Sequence, residues 1–400
     1  MNRNILLIII ITFLFNSCSA QELNERLYSF KKDNLYGFIN NKGEIVIKPQ
    51  YNTVGLFSEG LCAVVKRENN ESKLGYIDYK GELVIDLQFQ QYLYEGSDFS
   101  EGLAVIRLNN KSGYINRKGE IIFEPTLYKG HPFKNGYAVI EKEYSERTII
   151  NKEGEILFDP MEQYKKQRQV KPTNKESLYL NDRVSDGVIT LAVTYYSTYP
   201  STKKMGYFDM EGKMFFPFDY LVGSFNNELA KTYSNNGKKV GFIDKNGKIA
   251  IPIQFRTVSD FCNGKAIAQD SNTKKYGIID AKGNYIIEPK YSYISKYFYR
   301  SDIILVKDES GKTGYINLKG DKVTEFKYEF GLDFSEGLAL VNSKNNGYEF
   351  INETGKSAFN LNFKPPLNYL GGSFKGDLAK VRIDKNDAYI NKKGEVIFTF

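Results

Sequence analysis

Three carboxylates stand in a recurring frame: Phe57-Ser58-Glu59-Gly60, Phe99-Ser100-Glu101-Gly102 and Phe334-Ser335-Glu336-Gly337. Carboxylates could do glycoside hydrolysis, which needs two of them flanking one bond. Here each Glu occupies the same position in a separate copy of one motif, so the copies are displaced from one another and polar loops account for them. A second recurring set is Asn or Asp three residues before a glycine. Oxygen-rich turns could hold calcium, but no Asp-x-Asp-x-Asp-Gly loop is present. Backbone capping within the turn is the expected role. The chain has one His, His131, which is followed by Pro132, and three Cys. A Cys/His zinc site needs four ligands, and these are scattered. There is no Gly-x-Ser-x-Gly elbow and no Gly-x-x-x-x-Gly-Lys-Ser/Thr phosphate loop. The expectation is a protein without catalysis, metal or cofactor.

The Asx-x-x-Gly set reveals the elements. It pairs Asn40 with Gly43, Asp78 with Gly81, Asn116 with Gly119, Asn151 with Gly154 and Asp209 with Gly212. It continues with Asp244 and Gly247, Asp280 and Gly283, Asn317 and Gly320, Asn352 and Gly355, and Asn391 and Gly394. The glycines recur every 35–39 residues, with one interval of 58 between Gly154 and Gly212. A type I turn favours Asx at its first position, and a following left-handed residue wants Gly. Together they make a hairpin loop ending in a bulge. Short apolar runs flank each turn at hairpin spacing. A further strand precedes each hairpin, as in Leu103-Ala104-Val105-Ile106. Pro49, Pro125, Pro160, Pro252 and Pro289 follow the last strand, where Pro is expected to end the ladder.

The chain has 400 residues, 41% hydrophobic and 26% charged, with 30 Tyr, 28 Phe and no Trp. That apolar share excludes a long disordered protein. At the start, Arg3, the apolar run Ile5 to Phe15 and small residues form a secretory signal, too short for a membrane span. Ser17-Cys18 resembles the end of a bacterial lipobox, with Cys18 acylated as the first mature residue. The alternative is ordinary cleavage after Ala20. Removing 1–20 takes away only Arg3 among the charges, leaving 54 basic against 48 acidic residues. These are interspersed as a solvated surface, so no nucleic-acid partner is expected. Cys62 and Cys262, far apart in sequence, are expected to be free thiols rather than a bridge. The segments are 1–20, signal; 21–160, the first four units; 161–205, an insertion plus the start of the next unit; and 206–400, the remaining units. Pro160 to Leu180 is the one stretch with helical character.

The pattern Gly-aromatic-Ile-Asx-x-x-Gly-Glu with Phe-Ser-Glu-Gly-Leu-Ala resembles the WG, or KWG, repeat family over residues 27–400. The Gly of the signature stands at Gly37, Gly75, Gly113, Gly206, Gly241, Gly277 and Gly314. Its Trp is replaced by Tyr36, Leu74, Ser112, Met205, Val240, Tyr276 and Thr313. The resemblance implies an exported β-repeat and no shared reaction. The fold class is therefore all-β: about ten three-stranded antiparallel meanders, each burying its faces on its neighbours. Ten exceeds the four to eight blades of ordinary propellers, and whole units fit end to end. An open curved array, or two propeller-like lobes, is expected.

Function is read from surface chemistry. Tyr195, Tyr196 and Tyr199 cluster in one segment, and Tyr291, Tyr293, Tyr297 and Tyr299 crowd another, with Tyr293 and Tyr297 the candidates for a binding surface. Exposed Tyr suits an interface, although Tyr also favours strands. The first expectation is an envelope protein, lipid-anchored to a membrane, whose repeat face binds a protein or glycan. The others are a structural envelope component without a ligand, and a glycan-active enzyme, which a polar pocket breaking the repeat symmetry would favour.

Overall fold

The computed structural model describes residues 26–400, apart from 91–96, 144–146, 160–161, 164–165, 167–175, 181–186, 196–201, 217–221, 235–236, 344–346, 362–371 and 384. Among these residues the chain forms ten small antiparallel sheets, taken up in chain order. Each is a meander. The second runs Thr53–Ser58, Leu61–Glu68, Glu71–Ile77 and Leu83–Gln90, with Cys62 opposite Ile77 and Ala63 opposite Tyr76. Seven sheets have four strands, whereas the first, third and eighth have three. Relative to the first and third sheets, the extra strand is the segment that enters the Phe-x-x-Gly turn; the eighth has that segment, Tyr293–Ile294, and is short of the last strand. At Lys129–Gly130 and Thr257–Val258 the entering segment is two residues long, too short for apolar alternation to mark it.

The Asx turns hold every sheet together in the same way. In all ten, the Gly amide donates to the Asx carbonyl, as Gly119 does to Asn116 at 2.9 Å. The same bond runs from Gly81 to Asp78, Gly247 to Asp244 and Gly283 to Asp280 at 3.0 Å, and from Gly320 to Asn317 at 2.9 Å. The Asx Oδ1 accepts from the amide after the Gly, as from Glu120 at 3.1 Å. The ten glycines have φ between +75° and +86°, with Gly81 at +83°, Gly247 at +81°, and Gly283 and Gly320 at +86°. That region costs an L-residue with a Cβ about 1–2 kcal/mol. The turns also do something their own sequence does not announce, which is to lie against the preceding unit. A Cβ on Gly81 would stand 2.8 Å from the Ile47 side chain, and one on Gly283 2.6 Å from that of Ile251. At Gly320 the fit is looser, with Ile287 at 3.9 Å.

Four of the prolines lie inside the last strands instead of ending them: Pro49 in Ile45–Tyr51, Pro125 in Ile121–Leu127, Pro252 in Ile249–Phe255 and Pro289 in Tyr285–Tyr291. Pro160 lies outside the described residues. Those strands are outermost in their sheets, so one side needs no donor, and their pairing shifts around the Pro. Phe38 faces Ile47, but Tyr36 faces Tyr51. Such an irregularity accommodates the missing N–H. It also presses the strand onto its neighbour. A Cβ on Gly37 would lie 2.5 Å from the Ile47 carbonyl oxygen, and one on Gly113 2.5 Å from that of Phe123. Only Gly fits there.

Within the long interval, residues 162, 163 and 166 are helical. Glu176–Leu180 and Ile189–Tyr195 are already the first two strands of the fifth sheet. The start of the next unit thus fills the later part of 161–205. Val139, Ile149 and Phe158 of the fourth sheet pack on Ile189 and Phe208 of the fifth, so the two halves of the chain share a core.

Each junction between successive sheets holds one apolar cluster. The tenth cluster joins the last sheet to the first. There Tyr28, Phe30 and Ile39 meet Leu378 and Tyr389, with Phe398 and Phe400 against them. The Phe30 and Phe398 rings stand edge to face at 4.8 Å. The curved array therefore returns to its start. No spare strand is needed, because closure is by face packing and not by sharing a sheet.

A buried phenol crosses half of these junctions. Two residues before the Asx, the Tyr76 hydroxyl donates to Ser97 O at 2.8 Å, Tyr114 to His131 O at 2.7 Å, Tyr207 to Gly223 O at 2.7 Å and Tyr315 to Leu332 O at 2.7 Å, each in the next unit. Tyr389 donates to Ser29 O at 2.8 Å across the closing junction. Cys62 and Cys262 are free, and Cys62 is buried. Burial, with the Asp98 charge adding to it, pushes the Cys62 thiol up to about 12.

Candidate functional site

The Phe-x-x-Gly turns form one edge of the ring, and their chemistry links unit to unit. Glu59 and Gly60 both have positive φ, +52° and +89°, as do Glu101 and Gly102, and Glu336 and Gly337. Two consecutive left-handed residues make the tight hairpin turn that matches strand twist. Asn135 and Asn263 take the same first position in other units, with φ +55° and +50°. Asn suits that conformation better than Glu does. The Glu is there for its reach. Glu59 accepts from the Gly102 amide at 2.9 Å. Glu101 accepts from the amides of Asn135 and of Gly136, the latter at 2.8 Å. Glu336 accepts from the amides of Gly376 and of Asp377, the latter at 2.9 Å. The preceding serine adds a second link: Ser58, Ser100 and Ser335 donate to the carbonyls of Phe99, Phe133 and Phe374 at 2.7, 2.7 and 2.6 Å. These Ser-Glu pairs are clamps between units, a role more specific than loop polarity.

Two of the clamps favour the ionised carboxylate. Burial works against the Glu101 charge, but the Gly136 amide, the Lys152 ammonium and the Asn135 amide outweigh it and keep the pKa below the usual range. Glu336 is likewise lowered, by Asp377, Gly376 and Lys392 against burial.

The eighth unit breaks the pattern. Where the second, third and ninth units read Phe-Ser-Glu-Gly and the fourth and seventh read Phe-x-Asn-Gly, it reads Phe298-Tyr299-Arg300-Ser301-Asp302, one residue longer. Tyr299 replaces the clamp serine and Arg300 replaces the clamp glutamate. A cleft of about 680 Å³ opens at this place, walled by Tyr297 and by Tyr299 to Ile303 of the eighth unit and Leu332 to Gly337 of the ninth, with Glu353, Ser373 and Lys375 at its margin. The Arg300 guanidinium lies over the Tyr297 ring at 4.2 Å. Asp333, beneath it, accepts from Ser295 Oγ at 2.8 Å. Burial raises the Asp333 pKa, opposed by the Ser295 hydroxyl and the Arg300 charge.

Of the tyrosines singled out from sequence, Tyr297 belongs to this cleft. Tyr293, 44% exposed, sits on the short strand Tyr293–Ile294 and does not line it. Tyr195 ends the strand Ile189–Tyr195; Tyr196 and Tyr199 lie outside the described residues, as does Cys18. Tyr299, at 38% exposure and from the same sequence cluster as Tyr297, lines the cleft as well; Arg300 was missed. Comparing copies of the clamp position would have found it. His131 is buried, and its carbonyl accepts from Tyr114. Among the described residues no group of three His, Cys, Asp or Glu comes together as a metal site, and no helix is long and apolar enough to cross a membrane.

A ring of meanders packed face to face through Asx turns, phenols and Ser-Glu clamps defines a β-repeat protein. Residues 36–70, 75–111, 113–144, 241–273, 276–312 and 314–348, just over half of the chain, match the WG containing repeat, and the chain belongs to that family. No curated protein matches it. Among solved structures the chain is similar to Hsv2 of Kluyvelomyces marxianus, at 12% identity over 63% of this chain and 87% of that one, with a TM-score of 0.31. It is also similar to apo AztD from Citrobacter koseri, at 9% identity over 83% and 92%, with a TM-score of 0.33. A third likeness is to Pyrococcus horikoshii acylaminoacyl peptidase, at 11% identity over 86% and 60%, with a TM-score of 0.30. Likenesses at this level bear on neither activity nor partner.

Proposed function

We propose that this chain is an exported binding scaffold, anchored at the cell envelope through a lipid on Cys18, that presents the cleft edge of its ring to a protein or glycan partner. The observation that carries the reading is the break in repeat symmetry. Where clamps are intact the units use their own polar groups on each other. The fourth, sixth and seventh units carry Asn135, Asn227 and Asn263 in the Glu position. At the eighth the turn is one residue longer, and the space is lined by Tyr297, Tyr299 and Arg300, residue types that dominate binding interfaces. A structural component without a ligand has no use for that opening. A polar pocket that breaks the repeat symmetry is also what a glycan-active enzyme would show. Of its carboxylates, Glu336 is engaged by two amides and Asp333 by Ser295. That leaves Asp302 and Glu353 as the pair such an enzyme would use, and glycan turnover is the outcome that would favour it.

Replacing Tyr297 and Tyr299 together by Ala is expected to reduce partner capture at least tenfold in a quantitative pull-down from the membrane fraction, with the thermal melt within a few degrees of wild type. Capture that is undiminished, or turnover of a glycan by the pure protein, would remove this reading. Anchoring has its own test. Cys18→Ala is expected to abolish lipid labelling and release the protein from membranes. Since one acyl chain binds only marginally, two or more are implied. Unchanged labelling and retention would defeat the anchor and leave the scaffold standing.

A further inference from the structure

The cleft is a clamp position that lacks its clamp. In the intact junctions a turn offers its left-handed amides to a carboxylate, and its Phe carbonyl to a hydroxyl, from the preceding unit. The ninth unit offers the same set: the amides of Glu336 and Gly337 and the carbonyl of Phe334, all at the cleft wall. Among the described residues neither amide donates to a protein acceptor. The preceding unit has Tyr299 and Arg300 in place of Ser and Glu, so the carboxylate and hydroxyl are missing, and a cation stands where the anion would come from.

We propose that this cleft is a receptor for a Ser-Glu pair on a peptide segment of a partner protein, its carboxylate on the Glu336 and Gly337 amides and Arg300, its hydroxyl on the Phe334 carbonyl. The inference rests on the scaffold reading and names the group recognised. Successive amides in a left-handed turn make an anion-binding concavity, and this chain fills such turns with its own glutamates three times. An arginine beside the amides adds a charge-assisted, two-pronged donor. Arg300 is held by stacking on Tyr297, so little is lost in ordering it. Against Arg300 and Lys375 the lining carries Asp302, Asp333, Glu336 and Glu353, so the cleft holds more acidic than basic side chains. Selection for the carboxylate therefore comes from aimed donors and not from net charge. A peptide fits better than a uronic acid because the donors and acceptor repeat the spacing of a Ser-Glu dipeptide.

The probe is acetyl-Phe-Ser-Glu-Gly-Leu-amide, titrated into the full-length protein while backbone amide resonances are followed. The Glu336 and Gly337 amides are expected to move downfield and saturate. Those of Asn263 and Gly264, where Asn227 occupies the preceding clamp position, are expected to stay in place. The Gln analogue of the peptide, and R300Q protein with the Glu peptide, should each bind at least tenfold more weakly. R300E combined with deletion of Ser301 should restore the internal clamp, raising the melting temperature and abolishing the response. The proposal is overturned if the two amides do not move, if Gln serves as well as Glu, if Asn263 and Gly264 move equally, or if glucuronate moves the pair and the peptide does not. In any of these cases, partner capture that still depends on Tyr297 and Tyr299 would leave the scaffold reading intact.

Discussion

Raising the pH from 10 to 12 is expected to unfold the ring cooperatively. Its junctions are wedged by phenols that burial keeps neutral. The pKa of Tyr389 is pushed up to about 12, by burial first and then by the neighbouring Tyr28 and Asp387. Burial likewise pushes Tyr28 up to about 12, with Arg26 opposing. Tyr76, Tyr114, Tyr207 and Tyr315 are raised by the same cause. In the unfolded chain all of these titrate near 10. Above that pH the unfolded state binds fewer protons than the folded one, so stability falls as pH rises. It is fully present below pH 10. Each phenol adds up to about 1.4 kcal/mol per pH unit to the loss. Five acting together approach a typical folding free energy of about 5–15 kcal/mol within roughly two units. Tyrosinate absorbance and circular dichroism should therefore show one population ionising near pH 10 with the fold intact. A second should appear only with unfolding. Combined Tyr→Phe changes at 76, 114, 207, 315 and 389 are expected to move that transition to higher pH. Smooth titration of every Tyr near 10 with the sheets retained would refute the wedge role.

The meander was legible because its determinants are local. An Asx oxygen capping amides two and four residues ahead, and a Gly at positive φ, are fixed within five residues. What joins one unit to the next was not. Glu101 was visible as a repeated residue, but its partners lie 34 and 35 residues away, and nothing in the spacing says that a carboxylate reaches forward by one unit. Ring closure was hidden for a related reason. It depends on the rotation accumulated over ten junctions, and no strand pattern announces it. The tyrosine clusters were legible only in part. Tyr291 is buried and Tyr293 exposed, because Tyr291 ends a strand of the seventh sheet and Tyr293 begins one of the eighth. The two therefore do not share the face that a period of two would give them on one strand. Phe298, between Tyr297 and Tyr299, is the buried anchor. The cleft follows from a difference between copies, Arg300 in a longer turn where three copies have Glu and three have Asn, and not from any motif.

Closure can be measured with one pair of turn glycines. Gly43 and Gly119 sit in equivalent turns with φ +82° and +83°. Valine at either meets the same left-handed penalty, about 1–2 kcal/mol and more for a β-branched side chain. Their surroundings differ. A Cβ at Gly119 would meet the Ile85 Cγ2 methyl at 3.1 Å, which a rotamer change relieves. A Cβ at Gly43 would lie 2.5 Å from the backbone oxygen of Ile397, in the last strand of the last unit. That strand can yield only by withdrawing from the first sheet and uncovering Phe30 and Ile39. Gly43→Val is therefore expected to cost at least about 2 kcal/mol more than Gly119→Val. Gly60→Ala, at φ +89° with nothing within 4 Å of the new Cβ, sets the baseline at about 1 kcal/mol from backbone strain alone. Chemical denaturation gives the three costs. Amide exchange should show that Gly43→Val exposes residues 28–39 and 386–400 together, while Gly119→Val loosens only the second to fourth units. Equal costs for the two valines, with the terminal sheets equally protected in both, would mean that the ends of the array do not meet.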